Sequence, residues 1–266
     1  IIVIKTSTSA RRCSLSIQLI HHEIPMTLFL VFILTIIASF IQRVSGFGFG
    51  IFVMMFFPFF LPSYGDSVML SGLLAGSTAL MIAIRYWQCI RWKLMGRVVL
   101  FNVIASYLAT EYMRSLGNDT MKQCLGVMLI LIALYFMFSE GKIIRIFKSQ
   151  TAQIAIGSVS GVMGGMFAMP GPPLVLYCIS TIDDKREYVT TLQAFSVVIN
   201  LCYTFIRFKV GFYSEDTWLW WLVGLVGAVI GSSIGTRCFE RISSRTLKII
   251  VYVMMIVSGI VAIVML

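Results

Sequence analysis

The sequence is a succession of apolar runs, most of them close to the ~20 residues an α-helix needs to cross a bilayer. They occupy 26–43, 47–61, 67–84, 96–112, 121–139, 151–165, 171–182, 188–207, 217–237 and 247–266. Because the runs are continuous, without apolar/polar alternation, a transmembrane β-barrel is excluded. A soluble domain is excluded by composition. The 266 residues are 59% apolar and 12% charged, whereas soluble domains run at about 45–50% and about 25%. A chain of this length has no core large enough to hide that excess. The net charge of +10 comes from Lys and Arg in the gaps between runs, where they read as topology signals and headgroup anchors, not as a nucleic-acid face. The expected fold class is an all-α integral membrane protein.

Four of the runs are short and fall into two adjacent pairs, each split by a cluster of helix breakers. The first cluster is Ser45-Gly46-Phe47-Gly48-Phe49-Gly50, and the second spans Gly164-Gly165 through Met169-Pro170-Gly171-Pro172-Pro173. Glycine costs a helix interior about 1 kcal/mol and proline about 3 kcal/mol, so each cluster predicts an interruption. Ser45-Gly46 and Ser160-Gly161 stand 115 residues apart. Trp92 pairs with Trp218, and Ala105-xxx-Ala109 falls on Gly231-xxx-Gly235. The order of features predicts two repeats of about five helical segments, with one broken hairpin pair in each and 8–10 transmembrane helices in all. The expected organisation is an N-terminal tail over 1–25 without function or stable structure, native or upstream of a start at Met26. A first repeat over 26–139, a basic cytoplasmic linker over 140–150 and a second repeat over 151–266 follow.

Charge placement decides whether the chain turns back at the interruptions. With reversal, thirteen Lys and Arg between Arg85 and Lys248 share one side, against Arg114, Lys122, Arg207 and Lys209 on the other. Without it they divide evenly. The positive-inside rule selects reversal. Five elements per repeat then invert the second half relative to the first, a plan used by secondary transporters, and leave both termini non-cytoplasmic.

Unwound backbone inside a bilayer requires burial in protein or a wet cavity, and a restarting helix presents free N–H groups that suit an anion. The candidate binding residues are therefore Gln42, Arg43, Ser45, Gly46, Phe47, Gly48, Gly164, Gly165, Gly171, Pro172, Gln193 and Asn200. Arg43 is the candidate counter-charge, because a cation within an apolar span is costly. Gln193 and Asn200 are seven residues apart and share one helix face. All 11 carboxylates lie in loops or at run ends, which favours an anion over a cation and leaves no acid pair for catalysis. The six cysteines are dispersed, and His21 and His22 precede the first run. No metal site, catalytic residue or cofactor is expected. The stripe Gly227-xxx-Gly231-xxx-Gly235 reads as close helix packing.

The stretch from Gln42 to Gly50 resembles the Q-x-x-G/S-G-F-G motif of the TauE/SafE group of sulfite and organosulfonate permeases. Gly164, Gly165 and Phe167 followed by Gly171-Pro172-Pro173-Leu174-Val175-Leu176-Tyr177 are similar to that family's second-half motif. Arg186, Leu192, Phe195 and Asn200 look like its next pattern. The resemblance covers about 26–266 and implies a permease for sulfite, sulfonate or related carboxylate anions. The resulting expectation is a secondary transporter, alternating access around a central site made by the two broken helices. An anion channel with the same hairpins as filter is the alternative. The expected partners are a small anion and the lipid bilayer of a plasma or bacterial inner membrane, without nucleic acid and compatible with a homodimer. An enzyme is not expected.

Overall fold

The computed structural model describes residues 25–44, 46–138, 149–238, 256–257 and 259–264. The expected tail up to residue 24, the candidate Ser45, most of the 140–150 linker and the start of the last run lie outside the described residues. Helix α1 is Pro25–Val44. The chain continues through α2 Phe49–Met54, α3 Phe57–Phe60, α4 Tyr64–Arg85, α5 Gly96–Arg114, α6 Asn118–Phe138, α7 Gln150–Phe167, α8 Gly171–Thr181, α9 Lys185–Val210 and α10 Thr217–Cys238. A C-terminal helical segment includes 256–257 and 259–264. Among the described residues there is no strand, and the helices follow the apolar runs closely. Four of them, α1, α4, α9 and α10, are both long and apolar enough to cross a membrane. At 19, 21 and 18 residues, α5, α6 and α7 also reach that length. Phe49–Phe60 and α8 are shorter, as the interrupted runs require.

Local chemistry sets the boundaries. Ser63 starts α4 by accepting from the Asp66 N–H, while its hydroxyl donates to the Asp66 carboxylate, a variant of the capping box. Asp184 starts α9 by accepting from the Arg186 and Glu187 N–H groups. Gly211, at φ 85°, ends α9 in the left-handed conformation. Pro172 and Pro173 occupy the first turn of α8, where the missing N–H has no helical partner to lose.

Small residues decide how the helices pack. A Cβ on Gly157, Gly161 or Gly165 of α7 would stand 2.3–2.7 Å from the carbonyl oxygens of Val98, Asn102 and Ser106 of α5. These numbers rise together, so the two helices are parallel. Gly227, Gly231 and Gly235 of α10 likewise face the carbonyl oxygens of Phe32, Ile36 and Phe40 of α1. By contrast α4 and α9 are antiparallel: Val68 meets Arg207, and Gly76 meets Asn200. The C-terminal segment crosses α6 in the same opposed sense, Gly126 against Ala262 and Ile130 against Gly259. Taking α1 with α7, α4 with α9, α5 with α10 and α6 with the C-terminal segment, each contact maps onto its partner contact. Equivalent helices that touch are opposed in direction, which is what a two-fold axis in the membrane plane produces.

The helix ends correct one pairing from the sequence. α1 and α7 end at Val44 and Phe167, 123 positions apart, and α2 and α8 begin at Phe49 and Gly171, 122 apart. Ser160 and Gly161 lie inside α7, so they are not the counterparts of Ser45-Gly46. They serve the contact with α5: Gly161 leaves room for the Asn102 carbonyl, and the Ser160 hydroxyl accepts from Asn102 Nδ2.

Candidate functional site

Two short non-helical stretches interrupt the helices. After α1, the Gly46 N–H donates to the Gln42 carbonyl at 2.8 Å. Gly46 at φ 83° and Gly48 at φ 101° then take left-handed conformations that suit glycine, and α2 starts at Phe49. After α7, Ala168 adopts φ 55° and its N–H donates to the Gly164 carbonyl at 3.1 Å, before α8 starts at Gly171. The first turn of α2, directly after the first stretch, meets the second stretch in space. A Cβ on Gly50 would stand 2.3 Å from the Ala168 carbonyl oxygen, so the main chains touch and a side chain has no room between them.

A cavity of about 60 Å³ lies beside this contact, enough for a few waters or one small anion. Its walls include residues 46–51 and 168–171, the apolar Ala75, Leu174, Leu192 and Ile199, and the polar Gln42, Gln193, Ser196 and Asn200. No acidic or basic side chain lines it. The amides form a buried chain: the Thr78 hydroxyl donates to Gln42 Oε1 at 2.7 Å, Gln42 Nε2 donates to Gln193 Oε1 at 3.2 Å, and Gln193 Nε2 donates to the Gly46 carbonyl at 2.9 Å. This chain fastens α4, α1 and α9 to the first interruption. Asn200 Nδ2 donates to the Ser196 carbonyl and hydroxyl. Gly171, the first residue of α8, lies on the wall, and first-turn N–H groups of a helix have no carbonyl one turn back. Pro172 and Pro173 supply no N–H.

Seven of the residues singled out from the sequence line this cavity: Gln42, Gly46, Phe47, Gly48, Gly171, Gln193 and Asn200. Arg43 does not. Its Nε donates to the Thr236 hydroxyl at 2.9 Å, and its stem packs on Gly235 of α10. Gly164 and Gly165 are helical and lie off the lining. Absence of side chains there admits the Tyr203 ring and the Ser106 backbone. Pro172 is buried beside the lining residue Gly171 without itself reaching the cavity.

Three further residues matter. Ser196 lines the cavity one turn from Gln193, and Thr78 orients Gln42. Arg207 is fully buried, although its place near the end of a run reads as an ordinary membrane flank. Its Nη1 donates to the Val68 carbonyl at 2.8 Å, its Nη2 to the Gly164 and Gly165 carbonyls, and its guanidinium lies 5.4 Å from the centre of the Tyr203 ring. The spacing of Gln193, Ser196, Asn200, Tyr203 and Arg207 is the repeat of one helix face. That polar stripe in an apolar helix was the available signal.

The Tyr203 hydroxyl donates to Asn102 Oδ1, Asn102 Nδ2 to the Ser160 hydroxyl, and that hydroxyl to the Pro170 carbonyl on the cavity wall. A continuous polar path therefore joins the second interruption to the far part of the stripe.

The family described as "Sulfite exporter TauE/SafE" matches residues 31–262. No curated protein and no solved structure matches the chain.

Proposed function

The chain belongs to the TauE/SafE sulfite exporter family, and from that premise we propose that it is a secondary permease for small anions of the sulfite and organosulfonate class. The cavity between the two interruptions is its substrate site. Gln42, Gln193, Ser196 and Asn200 supply side-chain contacts, and the main chain at Gly46–Gly50 and Gly171 supplies N–H donors. The observation that carries this reading is one cavity bounded by both interruptions and free of carboxylates. A carboxylate in so small an apolar space would repel an anion, whereas neutral amides and main-chain dipoles replace water without adding opposing charge.

The paired architecture supports a reading of alternating access. Rocking one repeat against the other would expose the same cavity to each side of the membrane in turn. In this reading the protein is a multi-pass cell-membrane protein with both termini non-cytoplasmic.

The test is flux in proteoliposomes loaded with sulfite. A permease shows saturable uptake of labelled sulfite that unlabelled sulfite on the far side accelerates. Uptake that rises linearly with concentration and ignores the far side contradicts the mechanism and fits a channel.

A further inference from the structure

Arg207 carries a full positive charge into the protein interior, with no measurable exposure. A buried cation normally finds a carboxylate, since an uncompensated charge is strongly destabilising. Here it does not: among the described residues the ion pair is Arg91 with Glu187, far along α9. Asp66, buried near the same end of α4, is occupied by Ser63, the Ser214 N–H and the Thr217 hydroxyl. The partners of Arg207 are neutral carbonyls, and its buried Nε has none.

Its position relative to the cavity is defined by Gly72. From a Cβ on Gly72, Arg207 Nη1 would lie 2.7 Å away and Asn200 Oδ1 3.4 Å away. The guanidinium therefore sits no more than about 6 Å from a side chain of the cavity wall, with Gly72 leaving the space open. A charge this close, screened by buried protein rather than by water, acts on whatever occupies the cavity.

We infer that Arg207 is the fixed positive charge that sets the charge selectivity of the site, favouring doubly over singly charged oxyanions. The inference rests on the anion-permease reading above. It assigns to Arg207 the counter-charge role that Arg43, turned towards α10, does not fill. Across about 10 Å at an effective dielectric constant of about 20, each unit of substrate charge is worth about 15-fold in affinity. A dianion collects that factor twice.

The test measures binding to purified protein by the rise in melting temperature with added anion. The probes are sulfite at alkaline pH, where it is a dianion, and methanesulfonate, which stays a monoanion. Wild-type protein is expected to prefer sulfite. Arg207→Lys keeps the charge and loses the planar fork, so the sulfite-to-methanesulfonate affinity ratio should stay within about threefold of wild type. Arg207→Gln keeps hydrogen-bond donors and loses the charge, and the ratio should fall about 15-fold. If Arg207→Gln does not fold, Arg207→Met fills similar volume without a buried charge and carries the same expectation. An unchanged ratio in the neutral variant, or a wild-type preference for methanesulfonate, overturns the inference and leaves the permease reading standing. Binding of neither anion by wild-type protein overturns both.

Discussion

Substituting Gly50 by alanine tests the contact on which the cavity depends. The new Cβ would stand 2.3 Å from the Ala168 carbonyl oxygen and 3.6 Å from the Ser71 hydroxyl. An ordinary contact needs more than 3 Å, so one interruption must move by about 1 Å relative to the other. The obstacle is backbone, which cannot rotate aside. Overpacking of this kind costs about 1–3 kcal/mol. Helix propensity acts in the opposite direction and favours alanine over glycine by at most about 1 kcal/mol. The steric effect wins, and Gly50→Ala should lower stability by about 1–2 kcal/mol and reduce sulfite flux per folded molecule. The assay pairs thermal unfolding in detergent with proteoliposome flux. Gly96→Ala is the control, since nothing lies within 4 Å of its Cβ position. If Gly50→Ala melts higher than wild type and transports normally, the two interruptions do not touch as described.

Other outcomes follow from the same geometry. Gln193→Leu removes the donor to the Gly46 carbonyl and the acceptor for Gln42; stranding two buried groups should cost about 1–3 kcal/mol each, and a KM for sulfite no higher than that of wild type would contradict its place in the site. Ala168→Gly relieves a left-handed conformation worth about 1–2 kcal/mol in an L-residue, partly offset by unfolded-state entropy. It should raise the melting temperature. Gly231→Ala, with its Cβ 2.1 Å from the Ile36 carbonyl oxygen, should separate α10 from α1 and destabilise by about 1–3 kcal/mol, read by thermal unfolding. Arg43→Ala should leave the sulfite KM unchanged, because that guanidinium bonds Thr236 rather than the cavity.

Much of this architecture is legible in the residues alone. Continuous apolar runs locate the helices within a few positions, because bilayer thickness fixes their length. Gly46 and Gly48 announce the first interruption truthfully, since both adopt positive φ. The seven-residue spacing of Gln193 and Asn200 places both on the cavity wall. The second interruption is less transparent. In membrane helices glycine also serves close packing, and Gly164 and Gly165 do that inside α7, leaving the break to Ala168–Pro170. The positions of Arg43 and Arg207 are hidden for a related reason. A cation's position along a run does not reveal which way its side chain turns. Arg43 meets α10, while Arg207 points inward among α4 and α7 carbonyls. Only the helix-face repeat through Gln193, Asn200 and Arg207 hints at the difference.

Anomalous diffraction from crystals grown with selenite, the heavier analogue of sulfite, would test most directly whether the paired interruptions hold an oxyanion. A selenium peak bounded by Gly48, Gly171, Gln193 and Asn200 is expected. A transport-competent protein whose selenite sits elsewhere, with that space empty, would contradict it.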